Sequence, residues 1–495
     1  MNNVEEKIKT YFEPMAVYKD LKKSNFFSAL ALPSFMRDYL LKKFMRENGS
    51  FSQDDMLVFI RQYVPRKEDW TSIKSRLVTE LERIKFLAKI SVNIDIKTGV
   101  VSFELPDFSV LYKDTIVPGE VWTECSKKLV KGQETWGVIE LQYLPPDEEV
   151  KPRQHGKLQL MSFEDFCPYT IDLDYYKDAR KEFSTDEWID LLLGAVDYNA
   201  KGYAEELNKL TMLSRLLPFV EKRLNIIELA PKGTGKSYLY GRVSRFGWLS
   251  SGGVMSRSKL FYDMQRRQEG LVAGNDFVVF DEVQTISFTD VDEMRAALKG
   301  YMESGIYTVG KYEGKAEAGI VLCGNISQDK FDVYQNMFEE LPKVFHESAL
   351  IDRFHGIIEG WNIPRMHDDL KISDWALNSE YFCSILHELR ADATYRTIVD
   401  TLVEVPEKAD TRDTEAVKRI ATAYLKLLFP NVRTQYDISK NDFDRYCLYP
   451  ASKMRSNVKI QLGILDEEYK GKSIPKFIVR DLSENGESND ESEKS

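Results

Sequence analysis

Residues 224–237 read Leu-Asn-Ile-Ile-Glu-Leu-Ala-Pro-Lys-Gly-Thr-Gly-Lys-Ser. The mostly apolar first half predicts a buried strand, and the glycines that follow predict a loop leading into a helix. Glycines let backbone N–H groups turn inward onto phosphate oxygens, and the helix adds its positive N-terminus. The stretch therefore predicts a phosphate-binding loop, although Ala230 stands where the strict pattern has its first glycine.

This loop defines the candidate nucleotide site. Lys236 is expected to reach the β- and γ-phosphates of ATP, and the Ser237 hydroxyl is expected to bind Mg²⁺. ATP and Mg²⁺ are therefore the predicted cofactors. The predicted nucleotide-binding residues are Pro231, Lys232, Gly233, Thr234, Gly235, Lys236, Ser237 and Tyr238.

Two further apolar runs end in polar residues. Residues 277–282 read Phe-Val-Val-Phe-Asp-Glu, and such a continuous apolar run fits a strand buried on both faces of a parallel sheet. Asp281 is expected to hold Mg²⁺ through water, and Glu282 to polarise the attacking water. The next run ends at Asn325, which can orient the same water or contact the γ-phosphate.

Downstream, residues 349–354 read Ala-Leu-Ile-Asp-Arg-Phe. Arg353 is placed in the chain to act in trans, on a nucleotide held by a neighbouring subunit. Each of these features alone is also explained by an ordinary buried strand or a surface arginine. Their order behind a phosphate loop favours catalytic roles.

This order of motifs resembles that of the AAA+ ATPases, and Asp-Arg-Phe at 352–354 is similar to the finger segment of their MCM-helicase-like branch. The resemblance implies an α/β fold: a parallel sheet flanked by helices, followed by a small helical lid that carries a second sensor. Arg412, at the start of a helical pattern, is the candidate for that sensor. Lys418 and Arg419 compete for the role, and a solvated arginine near a helix start explains Arg412 equally well.

More specific strings resemble the BrxL family, the Lon-related AAA+ ATPases of bacterial BREX phage-defence systems. They lie at 180–192, 216–221, 251–253, 260–262, 280–283, 324–326, 352–356 and 360–364. The similarity runs from about Tyr11 to about Lys470. Full-length members resemble Lon because a Ser–Lys protease-like domain follows the ATPase. No matching segment follows here, so we expect a short form without protease activity.

Composition is compatible with a large ATPase. The chain has 495 residues, 43% of them hydrophobic, and a formal net charge of −11. This length predicts about three domains, and no apolar run reaches the ~20 residues that span a bilayer. The N-terminus is polar rather than a signal peptide, and the cysteines are scattered without a CxxC pair. These features predict a reduced, cytoplasmic protein with no membrane partner, and the resemblance implies that the cytoplasm is bacterial.

The part of the chain before the loop predicts an α+β module. Helices and strands are expected, in chain order, at 34–47, 52–64, 70–86, 90–96, 100–105, 135–144 and 157–161. Such a module fits nucleic-acid binding and fits equally a scaffold that joins subunits. The predicted domains are 1–88 (helical), 89–178 (β-rich), 179–370 (AAA+ core), 371–478 (helical lid and C-terminal helices) and 479–495 (disordered acidic tail).

A hairpin is expected at 308–318, between the acid strand and the strand that ends at Asn325. In MCM-like ATPases a hairpin at this place projects into the ring channel, and the resemblance implies that Lys311 and Lys315 point at DNA phosphates. Such contacts are salt-sensitive and independent of sequence. The alternative is a solvated hairpin whose lysines only balance Glu313 and Glu317. The net negative charge excludes a chain that is basic throughout, but not a local basic surface.

These features predict an ATP-hydrolysing ring that binds and moves along double-stranded DNA, and the resemblance to the BrxL family implies a role in BREX defence. The expected assembly is a homo-oligomeric hexamer or heptamer, alone or as a stacked pair of rings, with other BREX proteins as further partners. Two alternatives stay open. One is a protein unfoldase that serves a separate protease and grips polypeptide through Tyr312; the other is a nucleotide-bound scaffold with little turnover.

Overall fold

A computed structural model describes residues 3–21, 32, 34–44, 52–130, 135–146, 155–165, 169–265, 267–325 and 332–481. The predicted acidic tail lies outside the described residues from residue 482 onward, as do positions 45–47 of the first predicted helix. The fold consists of two compact units, Met36–Thr170 and Met1–Phe35 together with Ile171–Ser495. The finer division of the chain at residues 88, 178, 370 and 478 stays a prediction. Within the described ranges, no helix combines the length and apolar character needed to span a bilayer.

The unit Met36–Thr170 is a five-stranded sheet with helices. Its strands lie side by side in the order Val101–Glu104, Ile84–Ile94, Thr135–Leu144, Lys157–Asp165 and Thr115–Ile116. All neighbours are antiparallel except the last pair, which is parallel. The helices are Ser34–Phe44, which begins just before the unit, Gln53–Tyr63, Trp70–Thr79 and Gly119–Leu129, with 3₁₀ turns at Lys67–Asp69, Pro106–Phe108 and Tyr112–Asp114.

One predicted element of this unit is wrong. The helix expected at 70–86 ends at Thr79, and a strand begins at Ile84. Leu81 has a φ of +54°, in the left-handed region that ends a helix and redirects the chain. Ile84 and Phe86 are buried on either side of the exposed Lys85. This period of two places the segment in the sheet, where the aliphatic and aromatic side chains join the core around Trp70.

The second unit is built on a five-stranded parallel sheet. Its strands, numbered along the chain, are β1 (Ile226–Ala230), β2 (Gly247–Met255), β3 (Phe277–Phe288), β4 (Gly319–Asn325) and β5 (Gly356–Ile358). They lie in the order β5-β1-β4-β3-β2, and every neighbouring pair is parallel. Asn325 of β4 lies opposite Ala230 of β1, so the residues that follow both strands meet at one edge of the sheet.

Both faces of this sheet are covered, which explains the continuous apolar runs in the sequence. The side chains of Ile227, Val278 and Ile320 are fully buried in a core shared with the helix Val291–Ser304. The prediction of an α/β fold with a parallel sheet flanked by helices, after an N-terminal module, is confirmed.

Some helices of the second unit begin after residues whose side chains cap them. Ser184 and Glu187 form a capping box at the start of the helix Thr185–Ala195, and Asp410 caps Thr411–Leu428. Further helices are Asn3–Tyr11, Leu173–Arg180, Glu206–Ser214, Leu217–Val220, Arg257–Leu260, Leu271–Gly274, Ser348–Ile351, Ser379–Leu389, Thr394–Leu402, Lys440–Phe443 and Tyr449–Leu465. Short hairpins pair Tyr262–Asp263 with Gln268–Glu269 and Ile306–Val309 with Tyr312–Lys315, and Val403–Glu404 pairs with Ile478–Val479.

The beginning of the chain belongs to this second unit. The strand Ala16–Asp20 pairs antiparallel with Ser373–Leu377. Lys19 of this strand is fully buried, and its Nζ lies 3.0 Å from Asp197 Oδ1. A buried charge is costly unless it is paired, so this contact fixes the N-terminal strand against the helices that precede the phosphate loop.

Candidate functional site

The loop after β1 adopts a conformation that requires glycine. Gly233 and Gly235 have φ angles of +81° and +83°, in the left-handed region that side chains disfavour. A Cβ atom on Gly235 would lie 2.6 Å from the Tyr198 hydroxyl, whereas one on Gly233 would meet no atom within 4 Å. The Tyr198 hydroxyl therefore fills the space beside Gly235, whereas no atom of the chain fills the space beside Gly233.

The backbone of this loop fits an anion. Across the described part of the chain, no acceptor receives a hydrogen bond from the backbone N–H groups of residues 232–237. The chain then continues through the helical turn Lys236–Tyr238 and a π-helical turn at Leu239–Val243. Unpaired N–H groups at the start of a helical segment are the donors that phosphate oxygens accept from.

Lys236 lies within this loop and links it to β4. Its Nζ donates to the Pro231 carbonyl and to Asn325 Oδ1, each at 3.0 Å. Burial lowers the pKa of Lys236 from its ordinary value, because desolvation disfavours the charged form. The structure thus brings together the predicted phosphate-binding lysine and the predicted sensor asparagine.

The acid pair lies where β3 departs from regular pairing. The register between β3 and β2 shifts between Asp281 and Ile286, which leaves Glu282 in a bulge with a φ of +48°. Asp281 is buried and accepts a hydrogen bond from Ser251 Oγ at 3.3 Å, whereas Glu282 is exposed. Strained non-glycine backbone and bulges are frequent where a side chain must be aimed at a ligand.

The remaining predicted loop residues differ in their surroundings. Lys232 and Ser237 are exposed, so the Ser237 hydroxyl is accessible to a cation. The Tyr238 hydroxyl instead donates a hydrogen bond to Asp197 Oδ2 at 2.7 Å. A carboxylate such as Asp281 and a hydroxyl such as Ser237 are the oxygen ligands that suit Mg²⁺.

Thr234 is held by an ion pair that the sequence analysis missed. Arg215 donates to the Thr234 carbonyl at 2.8 Å and to Thr234 Oγ1 at 2.9 Å. Its Nε also donates to Glu228 Oε2 at 2.9 Å, and both side chains of this pair are fully buried. Burial opposes the charged form of Arg215, but the Glu228 carboxylate outweighs it and raises the Arg215 pKa. The detectable signal was Glu228, a charged residue inside an apolar strand.

Arg353 lies at the opposite edge of the sheet. It precedes β5, whose first residue Gly356 lies opposite Ile226 at the start of β1. The phosphate loop follows the other end of β1, and five strand residues span roughly 16 Å. Arg353 Nη2 instead pairs with Glu303 Oε2 at 2.9 Å.

Arg412 lies beside Arg353 rather than beside the loop of its own chain. Its Nη1 donates to Asp352 Oδ2 at 2.9 Å, and its Nη2 lies 3.4 Å from Glu303 Oε2. Asp352 is held in turn by Arg455 at 2.6 Å. The two arginines thus share one acidic neighbour, Glu303, at the amino edge of the sheet.

The predicted hairpin is present. Gly310 and Lys311 form its two-residue turn, and Gly310 has a φ of +59°, which fits a type II′ turn. Lys311 and Lys315 are exposed and make no ion pair within the described residues. Glu317, expected in the alternative reading to balance them, lies 2.6 Å from Lys222.

We predict that Arg215→Met lowers the free energy of unfolding by about 3–5 kcal/mol, because Glu228 then carries an uncompensated buried charge. Chemical denaturation followed by intrinsic fluorescence measures the change. The double variant Arg215→Met/Glu228→Met removes both charges and should recover most of the loss. If the double variant is as unstable as the single one, the ion pair is not the cause.

Comparison with known families agrees with this geometry. Residues 158–474 match the family model described as "Lon-like protease BrxL-like, ATPase domain". Residues 10–143 match "BREX system Lon protease-like protein BrxL N-terminal". The two matches together cover both structural units.

Individual relatives support the same assignment. The chain is 30% identical over 458 residues to "Lon-like protease BrxL" of Escherichia coli O9:H4 (strain HS), covering 91% of this chain and 63% of the relative. It is 29% identical over 472 residues to the protein of the same name from Bacillus cereus (strain H3081.97), covering 93% and 67%. It is also 30% identical over 165 residues to "Uncharacterized protein ORF426" of Acidianus filamentous virus 1 (isolate United States/Yellowstone), covering 28% of this chain and 38% of that protein.

The chain thus spans about two thirds of the length of the two bacterial relatives. The family model for the ATPase domain alone matches more than half of it. From this match and the site described above, the chain belongs to the BrxL family of Lon-like proteins and contains the family's ATPase domain.

Proposed function

We propose that this protein hydrolyses Mg²⁺-ATP and uses the energy to act on double-stranded DNA as a ring of identical subunits in BREX phage defence. The observation that carries the proposal is the contact between Lys236 and Asn325 at the carboxyl edge of β1 and β4, with Asp281 next to Phe280, the last residue of β3 that pairs with β4. Ligands of parallel α/β sheets bind at this edge.

Each residue of the edge has a separate role in this proposal. Lys236 and the loop N–H groups bind the β- and γ-phosphates, and Ser237 and Asp281 hold the metal. Mg²⁺, when bound, neutralises negative charge on the phosphate oxygens. Glu282, exposed in its bulge, accepts a proton from the attacking water, and Asn325 orients that water.

Arg353 completes the site of a neighbouring subunit. It lies at the opposite edge of the sheet from its own phosphate loop, so it cannot contact its own nucleotide. A cation supplied by the next subunit stabilises charge on the transferred phosphoryl group. Because one edge binds nucleotide and the other supplies the arginine, head-to-tail association that closes on itself gives a ring. Arg412 acts from the same side as Arg353. We propose a hexamer or heptamer, alone or stacked in pairs, with other BREX proteins as further partners.

DNA is the ligand that the hairpin is best suited to bind. Lys311 and Lys315 are exposed and carry the charge that phosphates attract. Tyr312, the side chain available for gripping polypeptide, is instead stacked on Tyr262 with ring centroids 3.6 Å apart, and its hydroxyl contacts Glu269 at 3.1 Å. This contact favours DNA over the unfoldase alternative.

The proposal includes no peptide-bond cleavage by the described residues. A Ser–Lys contact does exist, because Lys19 Nζ lies 2.9 Å from Ser379 Oγ. Both side chains are fully buried, and Lys19 is paired with Asp197. A general base must be within reach of the substrate, and both side chains are enclosed, so this contact is structural. The described cysteines carry no disulfide, which agrees with the proposed bacterial cytoplasm.

For the nucleotide site, we predict that Lys236→Ala abolishes ATP binding, whereas Glu282→Gln binds ATP and loses turnover by about 10²–10⁴-fold, the usual contribution of a general base. Binding of a fluorescent ATP analogue and steady-state phosphate release separate the two effects. Glu407→Gln, an exposed glutamate outside the site, is the matched control. Steady hydrolysis by Glu282→Gln contradicts the assignment, and negligible wild-type turnover supports the scaffold alternative.

For the arginine proposed to act in trans, we predict that the Arg353→Ala protein still binds ATP but no longer turns it over. Mixing Arg353→Ala with Lys236→Ala subunits should restore activity, because an intact loop then meets an intact arginine at about a quarter of the interfaces of a random ring. Phosphate release after subunit exchange measures this. Turnover that stays at the level of the separate variants excludes action in trans.

For the hairpin, we predict that Lys311→Ala/Lys315→Ala abolishes stimulation of the ATPase by duplex DNA. The magnitude of the slope of log affinity against log salt should fall by about 1.8 for each subunit whose hairpin contacts the duplex, because two phosphate contacts are lost per subunit. Fluorescence anisotropy of a labelled duplex measures the slope. Lys470→Ala/Lys472→Ala makes the same change in charge elsewhere and should behave as wild type. Stimulation by casein and not by DNA supports the unfoldase.

A further inference from the structure

Glu303 occupies an unfavourable position in its own helix. It lies in the last turn of Val291–Ser304, two residues before Gly305, whose φ of +77° ends the helix. The C-terminal end of a helix carries partial negative charge, so a carboxylate there is destabilising unless a cation compensates it. The compensation must come from outside the helix.

Two arginines provide it. Arg353 Nη2 lies 2.9 Å and Arg412 Nη2 lies 3.4 Å from Glu303 Oε2. All three side chains line a cavity of about 470 Å³, and the Glu303 side chain is 51% exposed. The carboxylate therefore occupies the place in front of both guanidinium groups where another anion would bind.

The contacts of the two arginines differ in how readily they can be replaced. Arg412 is anchored by Asp352, which is 5% exposed and is also paired with Arg455. The Nε–H of Arg353 is buried and has no acceptor among the described residues. Exposed ion pairs contribute little stability, so Glu303 is the partner that an incoming anion displaces.

We propose that Glu303 is a positioning residue that holds Arg353 and Arg412 in the cavity until the phosphates of a neighbouring subunit's nucleotide displace its carboxylate. This inference rests on the proposed action of Arg353 in trans. A nucleotide γ-phosphate carries more charge than a carboxylate and has three acceptor oxygens, so it competes effectively for guanidinium donors. Glu303 thus competes with the nucleotide phosphates for both arginines and weakens nucleotide binding at each interface.

The test measures KM and kcat for ATP at a protein concentration that forms rings. We expect Glu303→Gln to lower KM by about three-fold, within the range of one exposed ion pair, without lowering kcat. Glu303→Ala should act in the same direction, which keeps the test valid if glutamine retains a hydrogen bond. The matched control is Asp292→Asn on the same helix, because Asp292 is exposed and pairs with Arg295 instead; its KM should equal that of wild type. Thermal unfolding verifies that each variant is folded.

A double variant shows whether Glu303 acts through the arginine. Because Arg353→Ala loses turnover, this comparison uses the dissociation constant of a fluorescent ATP analogue: Glu303→Gln should lower it in the wild-type background and lower it less in the Arg353→Ala background, where only Arg412 is left to be released. The inference is overturned if Glu303→Gln raises KM, matches Asp292→Asn, or shifts the dissociation constant equally in both backgrounds. If Arg353→Ala itself turns over ATP like wild type, the trans role fails and this inference fails with it. A normal Arg353→Ala defect without a Glu303 effect overturns this inference alone.

Discussion

The buried ion pair between Arg215 and Glu228 is the constraint on which the nucleotide loop depends. Placing both charges in the interior costs several kcal/mol per ion, and only close mutual contact with further hydrogen bonds offsets that cost. Arg215 meets this condition by also binding the backbone and hydroxyl of Thr234. The loop is thus connected to β1 in two ways. It continues the chain from β1, and Arg215 joins Thr234 of the loop to Glu228 of β1. These contacts restrain the loop and so reduce the conformational entropy that nucleotide binding has to remove.

The parallel sheet then divides the chemistry between its two edges. Lys236 follows β1, Asn325 ends β4, and Asp281 follows the part of β3 that pairs with β4, so all three lie at the carboxyl edge. Arg353 and Arg412 lie at the amino edge beside Glu303. A sheet this stiff keeps the two sets of residues apart within one subunit. Each interface of the proposed ring joins the carboxyl edge of one subunit's sheet to the amino edge of the next. Each nucleotide site is therefore complete only in the oligomer.

Local patterns in the sequence were sufficient for much of this structure. The apolar strands and the hairpin within 308–318 were predictable because each depends on residues that are close together in the sequence. Arg215 and Glu303 were not recognised, because their roles come from partners that only the fold brings near. The segment at Ile84 and Phe86 was assigned to a helix because the spacing of its apolar residues fits a helix as well as a strand. The left-handed backbone of Leu81, which separates the helix from the strand, could not be predicted from the sequence. The roles of the site residues, Tyr238 included, stay predictions.

The pairing of Ala16–Asp20 with Ser373–Leu377 has a consequence for how the protein is made. Asp20 contacts Ser373 across 353 residues of chain, so the first strand has no partner until most of the chain has left the ribosome. At 5–20 residues per second, that wait is roughly 20–70 s. The unit Met36–Thr170, whose pairings all lie within its own sequence, can fold during this interval. The buried Lys19 meanwhile remains hydrated, and its charge is transferred into the interior only when the last part of the ATPase unit closes around it.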